Sequence, residues 1–133
     1  MKDEKFELFN KIFNDDTIRT VWDKNEQKYY ISVIDVVKIL TNSSDPKDYW
    51  YRLKKRMSEE EKSEVSTKCR QLKLLSPDGK YRLTDVSDIE GTFRIIESIP
   101  SKNAEPIKMW LASLGSDRVN EVFKIRNGDF ESM

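Results

Sequence analysis

The sequence predicts a single compact α+β domain in which two small β-hairpins pack with about five helices. Two pairs of short β-prone runs, within 18–31 and 65–83, are each separated by turn-forming residues. Apolar residues recur at helical spacing through 33–57 and again through 89–123. A chain of 133 residues, 37% hydrophobic and 36% charged, suits one modest core beneath a very polar surface.

Residues 1–16 read as an N-terminal arm or short helix, because Phe6, Leu8, Phe9, Ile12 and Phe13 fall at near-helical spacing. Residues 18–22 and 28–31 read as the first hairpin around a polar turn at 23–27. Ser32 then starts a helix, with Asp35 giving an acidic version of the capping box and Val33, Val36, Val37 and Leu40 its buried face. Residues 41–44 end it. Asp45 followed by Pro46 starts the next helix, the acid as cap and the proline in the first turn. This pair of helices joined by a short polar turn has the layout of a helix-turn-helix.

Residues 58–63 form an acidic link that extends the second helix. Val65, Thr67 and Cys69 alternate with polar residues and predict a strand; Pro77-Asp78-Gly79 is a turn, and 81–83 the returning strand. Ser87 with Glu90 predicts a capping box for a helix carrying Ile89, Phe93 and Ile96, stopped by Pro100. A further helix starts near 103–106, buries Ile107, Trp110, Leu111 and Leu114, and ends with Gly115 as its C′ residue. Val119, Val122 and Phe123 mark a last helix over 117–126. The domain therefore spans 17–126, and 127–133 is a tail.

The chain is neutral overall, but its charge is placed. Residues 47–82 hold eleven bases against six acids, whereas 83–133 hold six bases against nine acids. Wound at about 100° per residue, the helix at 46–57 gathers Tyr49, Trp50, Leu53 and Met57 in one arc. Lys47, Tyr51, Arg52, Lys54, Lys55 and Arg56 spread over the other side, with Asp48 the one acid among them. Lys68, Arg70, Lys73, Lys80 and Arg82 form a second basic cluster on or around the second hairpin. Such a helix and ribbon can offer a cationic face to double-stranded DNA, and these eleven residues are the candidate contacts. Most would hold phosphates; Arg52, Arg56 and Arg70 have the forked donors that suit guanine edges. Tyr51 is the candidate stacking residue, while Trp22, Trp50 and Trp110 lie within apolar patterns and read as core.

Other classes of function find less support. No apolar run approaches the roughly 20 residues needed to span a bilayer, and no apolar stretch follows Lys2 to Lys5, so the expectation is a cytoplasmic protein without a signal peptide. The chain has no histidine, which excludes His-based triads and His-Cys zinc sites. Cys69 is the sole cysteine and reads as a buried or strand-borne thiol. Asp16 with Glu26-Gln27-Lys28, and Pro77-Asp78-Gly79-Lys80, imitate the spacing of metal-dependent nucleases, but turns account for both. Glu59, Glu60, Glu61 and Glu64 read as a solvated helix face rather than a cation site. No catalysis, cofactor or metal is implied.

Several stretches carry a resemblance. They are Ile18-Arg19-Thr20-Val21-Trp22, Asp35-Val36-Val37-Lys38-Ile39-Leu40 and Asp45-Pro46-Lys47-Asp48-Tyr49-Trp50. Further along come Cys69-Arg70-Gln71-Leu72-Lys73-Leu74, Glu90-Gly91-Thr92-Phe93-Arg94-Ile95-Ile96-Glu97-Ser98-Ile99-Pro100, Trp110-Leu111-Ala112 and Asp117-Arg118-Val119. In this order they resemble the Bro-N domain of viral and prophage Bro and antirepressor proteins, in particular the bacterial branch of damage-inducible protein D-like antirepressors. The resemblance covers about residues 17–123. It implies a small α+β DNA-binding domain that acts in regulation. It also implies a second reading, in which the module grips a repressor protein instead of DNA. The arm with Phe6, Phe9 and Phe13 would then pack on a second subunit to make a homodimer, or on its own domain.

Overall fold

The computed structural model describes residues 6–13 and 15–126, with side chains as far as residue 116. The tail at 127–133 lies outside the described residues, as do the side chains of Val119, Val122 and Phe123. In chain order the elements are strands β1 (Phe6–Leu8), β2 (Lys11–Phe13), β3 (Asp16–Ile18), β4 (Thr20–Asp23) and β5 (Lys28–Ser32), then helices α1 (Val33–Thr41), α2 (Pro46–Arg56) and α3 (Glu59–Lys68). Strands β6 (Cys69–Leu75) and β7 (Tyr81–Ser87) follow, and helices α4 (Ile89–Glu97) and α5 (Ala104–Arg126) complete the set.

The two expected hairpins, β4–β5 and β6–β7, join into one antiparallel sheet of order β1-β4-β5-β7-β6, with β2–β3 as a separate small ribbon. The junction is short. β5 meets β7 only through Ile31 opposite Ser87 and Ser32 opposite Val86, whereas β6 and β7 pair at seven positions. The distal part of the β6–β7 ribbon, unpaired with β5, curls back so that Leu72 and Leu74 pack against Val21 and Tyr30. Alternation of side chains across strands gives the sheet two apolar faces. Trp22, Tyr29 and Ile31 join Val36, Val37, Trp50, Leu53, Ile95, Ile96, Ile107 and Leu111 of the helices in the main core. Val21, Tyr30, Leu72, Leu74 and Val86 form a smaller core on the other face, with Phe6 against it.

Local signals set most helix starts. The Ser32 hydroxyl accepts from the Asp35 N–H, and Asn42 in the left-handed region closes α1. The Asp45 carboxylate accepts from the Asp48 N–H, with Pro46 in the first turn of α2. The capping box at Ser32 is only half made, because the Asp35 carboxylate turns away to the Arg19 N–H at 2.9 Å and the Arg19 Nε at 2.8 Å.

Four expectations are corrected. Residues 6–13 are strands rather than a helix: Phe6 to Leu8 pair with the free edge of β4, whereas an isolated helix this short is marginal because its nucleation is costly. Phe9 stacks edge-on against Tyr29 at 5.5 Å and Phe13 against Trp110 at 6.1 Å, so these rings pack on their own domain. Residues 64–68 are helical rather than extended. A complete capping box between Ser58 and Glu61 starts α3, and it runs to Lys68 before β6 begins. The cap of α4 is Asp88, which accepts from the Gly91 N–H, while Ser87 is spent in β7. Finally, α5 passes through Gly115 without a break, its one side packed by Ile107 and Leu111. A single interior glycine costs a helix only about 1 kcal/mol, less than this packing supplies.

Candidate nucleic-acid interface

Helix α2 lies over the base of the β6–β7 ribbon, and Asp85 fixes it there. The Trp50 indole donates to Asp85 Oδ2 at 2.8 Å, Gln71 Nε2 donates to Oδ1 at 3.0 Å, and Lys54 Nζ sits 3.4 Å from Oδ2. Burial pushes the Asp85 carboxyl up, but the bonds from Trp50 and Gln71 and the Lys54 ammonium outweigh it and hold the group below its ordinary value. Arg19 ties the far end of the ribbon to α1: its Nη1 donates to the Leu75 carbonyl at 3.2 Å while Nε and Nη2 hold Asp35. Between α2 and the ribbon runs a cleft of about 310 Å³ lined by Lys47, Tyr51, Lys54, Arg82 and Leu83, with Trp50 and Asp85 also in its wall.

The candidate residues fall into three groups on this frame. Lys47, Tyr51 and Lys55 stand four residues apart and form one ridge along α2. Tyr51 is 54% exposed, and Lys55 Nζ lies 4.6 Å from the centroid of its ring. Among the described residues, no carboxylate pairs with Lys47, Lys55, Lys73 or Lys80. Lys73 lies on β6 and Lys80 in the turn that joins it to β7.

The second group is already paired. Arg52 holds Asp48 at 2.9 Å along the helix, Lys54 holds Asp85, and Arg82 holds Asp78. Lys68 ends α3 rather than lying on the ribbon, and it meets Glu90 at 3.4 Å. Arg70 reaches the buried Asp23 at 3.4 Å and Glu26 at 3.0 Å, and lies 5.2 Å over the Tyr30 ring. There it covers a ring of the smaller core; burial and the bond that Tyr30 donates to Glu26 push the Tyr30 hydroxyl up to about 12, against the lowering pull of Arg70. The third group is Arg56 alone, on the opposite flank of α2, in a cleft with Glu61, Glu64, Glu97 and Arg94, where Arg94 holds Glu64 at 2.7 Å.

The model of the BRO family N-terminal domain matches residues 17–124. This chain belongs to that family. No curated protein and no solved structure matches it. Membership implies a regulatory domain of phage or prophage type, commonly DNA-binding. No helix of this Bro-N domain, among its described residues, is long and apolar enough to cross a membrane.

Two residues that position the Bro-N surface carry no sequence signal of their own. Asp85 is one acid in an alternating strand, and Arg19 one base between two strands; only the fold shows that they join α2 and α1 to the ribbon. The nuclease-like spacings disperse in the same way. Asp16 pairs with Lys38, Glu26 takes Tyr30 and Arg70, and Lys28 pairs with Asp88. Cys69 is half-buried beside Ser87, and burial pushes its thiol up, which leaves it a poor nucleophile.

Proposed function

We propose that this Bro-N domain binds duplex DNA through the α2 ridge and the β6–β7 ribbon, as a regulator of a phage- or prophage-type element in the antirepressor class. The observation that carries this is the ridge of Lys47, Tyr51 and Lys55, whose cations have no carboxylate partner among the described residues, beside Lys73 and Lys80 on the ribbon. A nearly neutral protein that leaves such a set uncompensated on one surface is suited to a polyanion. Lys47, Lys55, Lys73 and Lys80 would take phosphates first, and Tyr51 would pack on sugar or base. Arg52 would exchange its exposed Asp48 partner for a phosphate at small cost, since such surface pairs contribute about 0–1 kcal/mol. Arg70 and Lys68 serve the fold first, and Arg56 faces acids.

The test is fluorescence anisotropy of a labelled duplex with the wild type and with the Lys47→Glu/Lys55→Glu/Lys73→Glu variant, whose folding is checked by circular dichroism. Affinity should fall by at least about tenfold near physiological salt. A folded variant that binds as the wild type does would remove this surface from the reading. Absence of wild-type binding even at low salt would favour the second reading, a grip on a repressor protein. Leu8 and Ile12, exposed on β1 and β2, are the observation on its side.

A further inference from the structure

The ribbon has an open apolar tip. Leu75 stands directly opposite Tyr81, and Leu83 opposite Lys73, so the four side chains share one face. Leu75 is 51% exposed, Tyr81 54% and Leu83 62%. The same face carries Gln71 opposite Asp85 at its base, where α2 covers it. The helix thus protects the base and leaves the tip bare. Three large apolar side chains in one contiguous patch mark a contact surface, whereas isolated ones would not.

Charge selects the partner. Lys73 lies within the patch, Lys80 at the turn and Lys47 across the cleft from Leu83, all without a carboxylate partner among the described residues. Asp78, the acid of the turn, is held by Arg82. An apolar knob framed by free lysines complements a surface that is apolar along its floor and anionic along its rims. The major groove of a duplex is built that way, with thymine methyls on the floor and phosphates on both walls. Two strands about 4.8 Å apart fit a groove about 12 Å wide, whereas the minor groove, about 6 Å wide, presents no methyl group.

We propose that the ribbon tip enters the major groove and reads thymine through its 5-methyl group, with Leu83 as the side chain on the methyl and Tyr81 beside it against the sugar–phosphate wall. The inference rests on the DNA reading above, and goes further by naming the groove and the base. Anisotropy titrations would use two labelled duplexes of one sequence, the second with every thymine replaced by uracil, against the wild type and the Leu83→Ser variant. Leu83 is exposed, so the substitution leaves the core intact.

The wild type should bind the uracil duplex roughly three- to tenfold more weakly, as expected for the loss of one or two methyl contacts. Leu83→Ser should bind both duplexes alike, near the weaker value; this comparison removes any effect of uracil on duplex shape. Equal wild-type affinity for the two duplexes, or discrimination that survives in Leu83→Ser, would overturn the inference while the DNA reading stands. It would turn the patch over to a protein partner. If the wild type binds neither duplex at low salt, both readings fall together.

Discussion

Asp85 shows how one residue can organise a surface without touching its ligand. Its two oxygens receive Trp50 and Lys54 from α2 and Gln71 from β6, so it sets the height and angle of the helix over the ribbon. Its depressed carboxyl makes this a pH-dependent bond. A group whose folded value lies below its unfolded value contributes stability above the ordinary Asp figure of 3.8 and loses it as pH falls through the depressed one. Asp85→Asn keeps the shape and the Trp50 bond but removes the charge. Thermal unfolding should then show a shallower loss of stability below pH 3.8 in the variant than in the wild type. Parallel acid profiles would deny Asp85 this role.

Elements that announce themselves locally were readable from the sequence, and those fixed by distant partners were not. Ser32, Asp45 and Pro46 placed α1 and α2, because caps act within a few residues. The arm at 6–13 was ambiguous because its apolar spacing suits a helix about as well as a strand, and only the unpaired edge of β4 decides it. Residues 64–68 alternate like a strand yet complete a helix begun at Ser58. The seam between α3, β7 and α4 is of this tertiary kind. A Cβ on Gly91 would meet Ser87 Oγ at 2.1 Å and Lys68 Cβ at 2.8 Å. The serine can rotate, but Lys68 Cβ is fixed by the backbone of α3. Gly91→Ala should therefore cost about 1–3 kcal/mol in urea denaturation, although alanine is the better helix former. A stability gain would mean that α3 and α4 part readily.

At the scale of the molecule, the sequence located positive charge in 47–82 but could not say which charges are free. That depends on acids far away in the chain: Asp23 and Glu26 for Arg70, Asp85 for Lys54, Glu90 for Lys68. Among the described residues, the fold leaves four candidate cations on the α2 ridge and the ribbon without a carboxylate partner, Lys47, Lys55, Lys73 and Lys80; Arg56 also has no ion pair but lies on the opposite flank of α2. This difference is measurable. Each neutralised phosphate contributes about −0.9 to the slope of log K against log salt. Ten contacts would give a slope near −9, and the free set alone one of about −4. A paired cation must give up its carboxylate before it can neutralise a phosphate, so the unpaired cations bind first and a value near the shallower one is expected. Titrations of one duplex across a series of salt concentrations decide it, and Lys73→Gln should reduce the slope by about one further unit. A slope near −9 would mean that the salt bridges of α2 and the ribbon open on DNA, and that the other six candidates, Arg52, Lys54, Arg56, Lys68, Arg70 and Arg82, all join the contact surface.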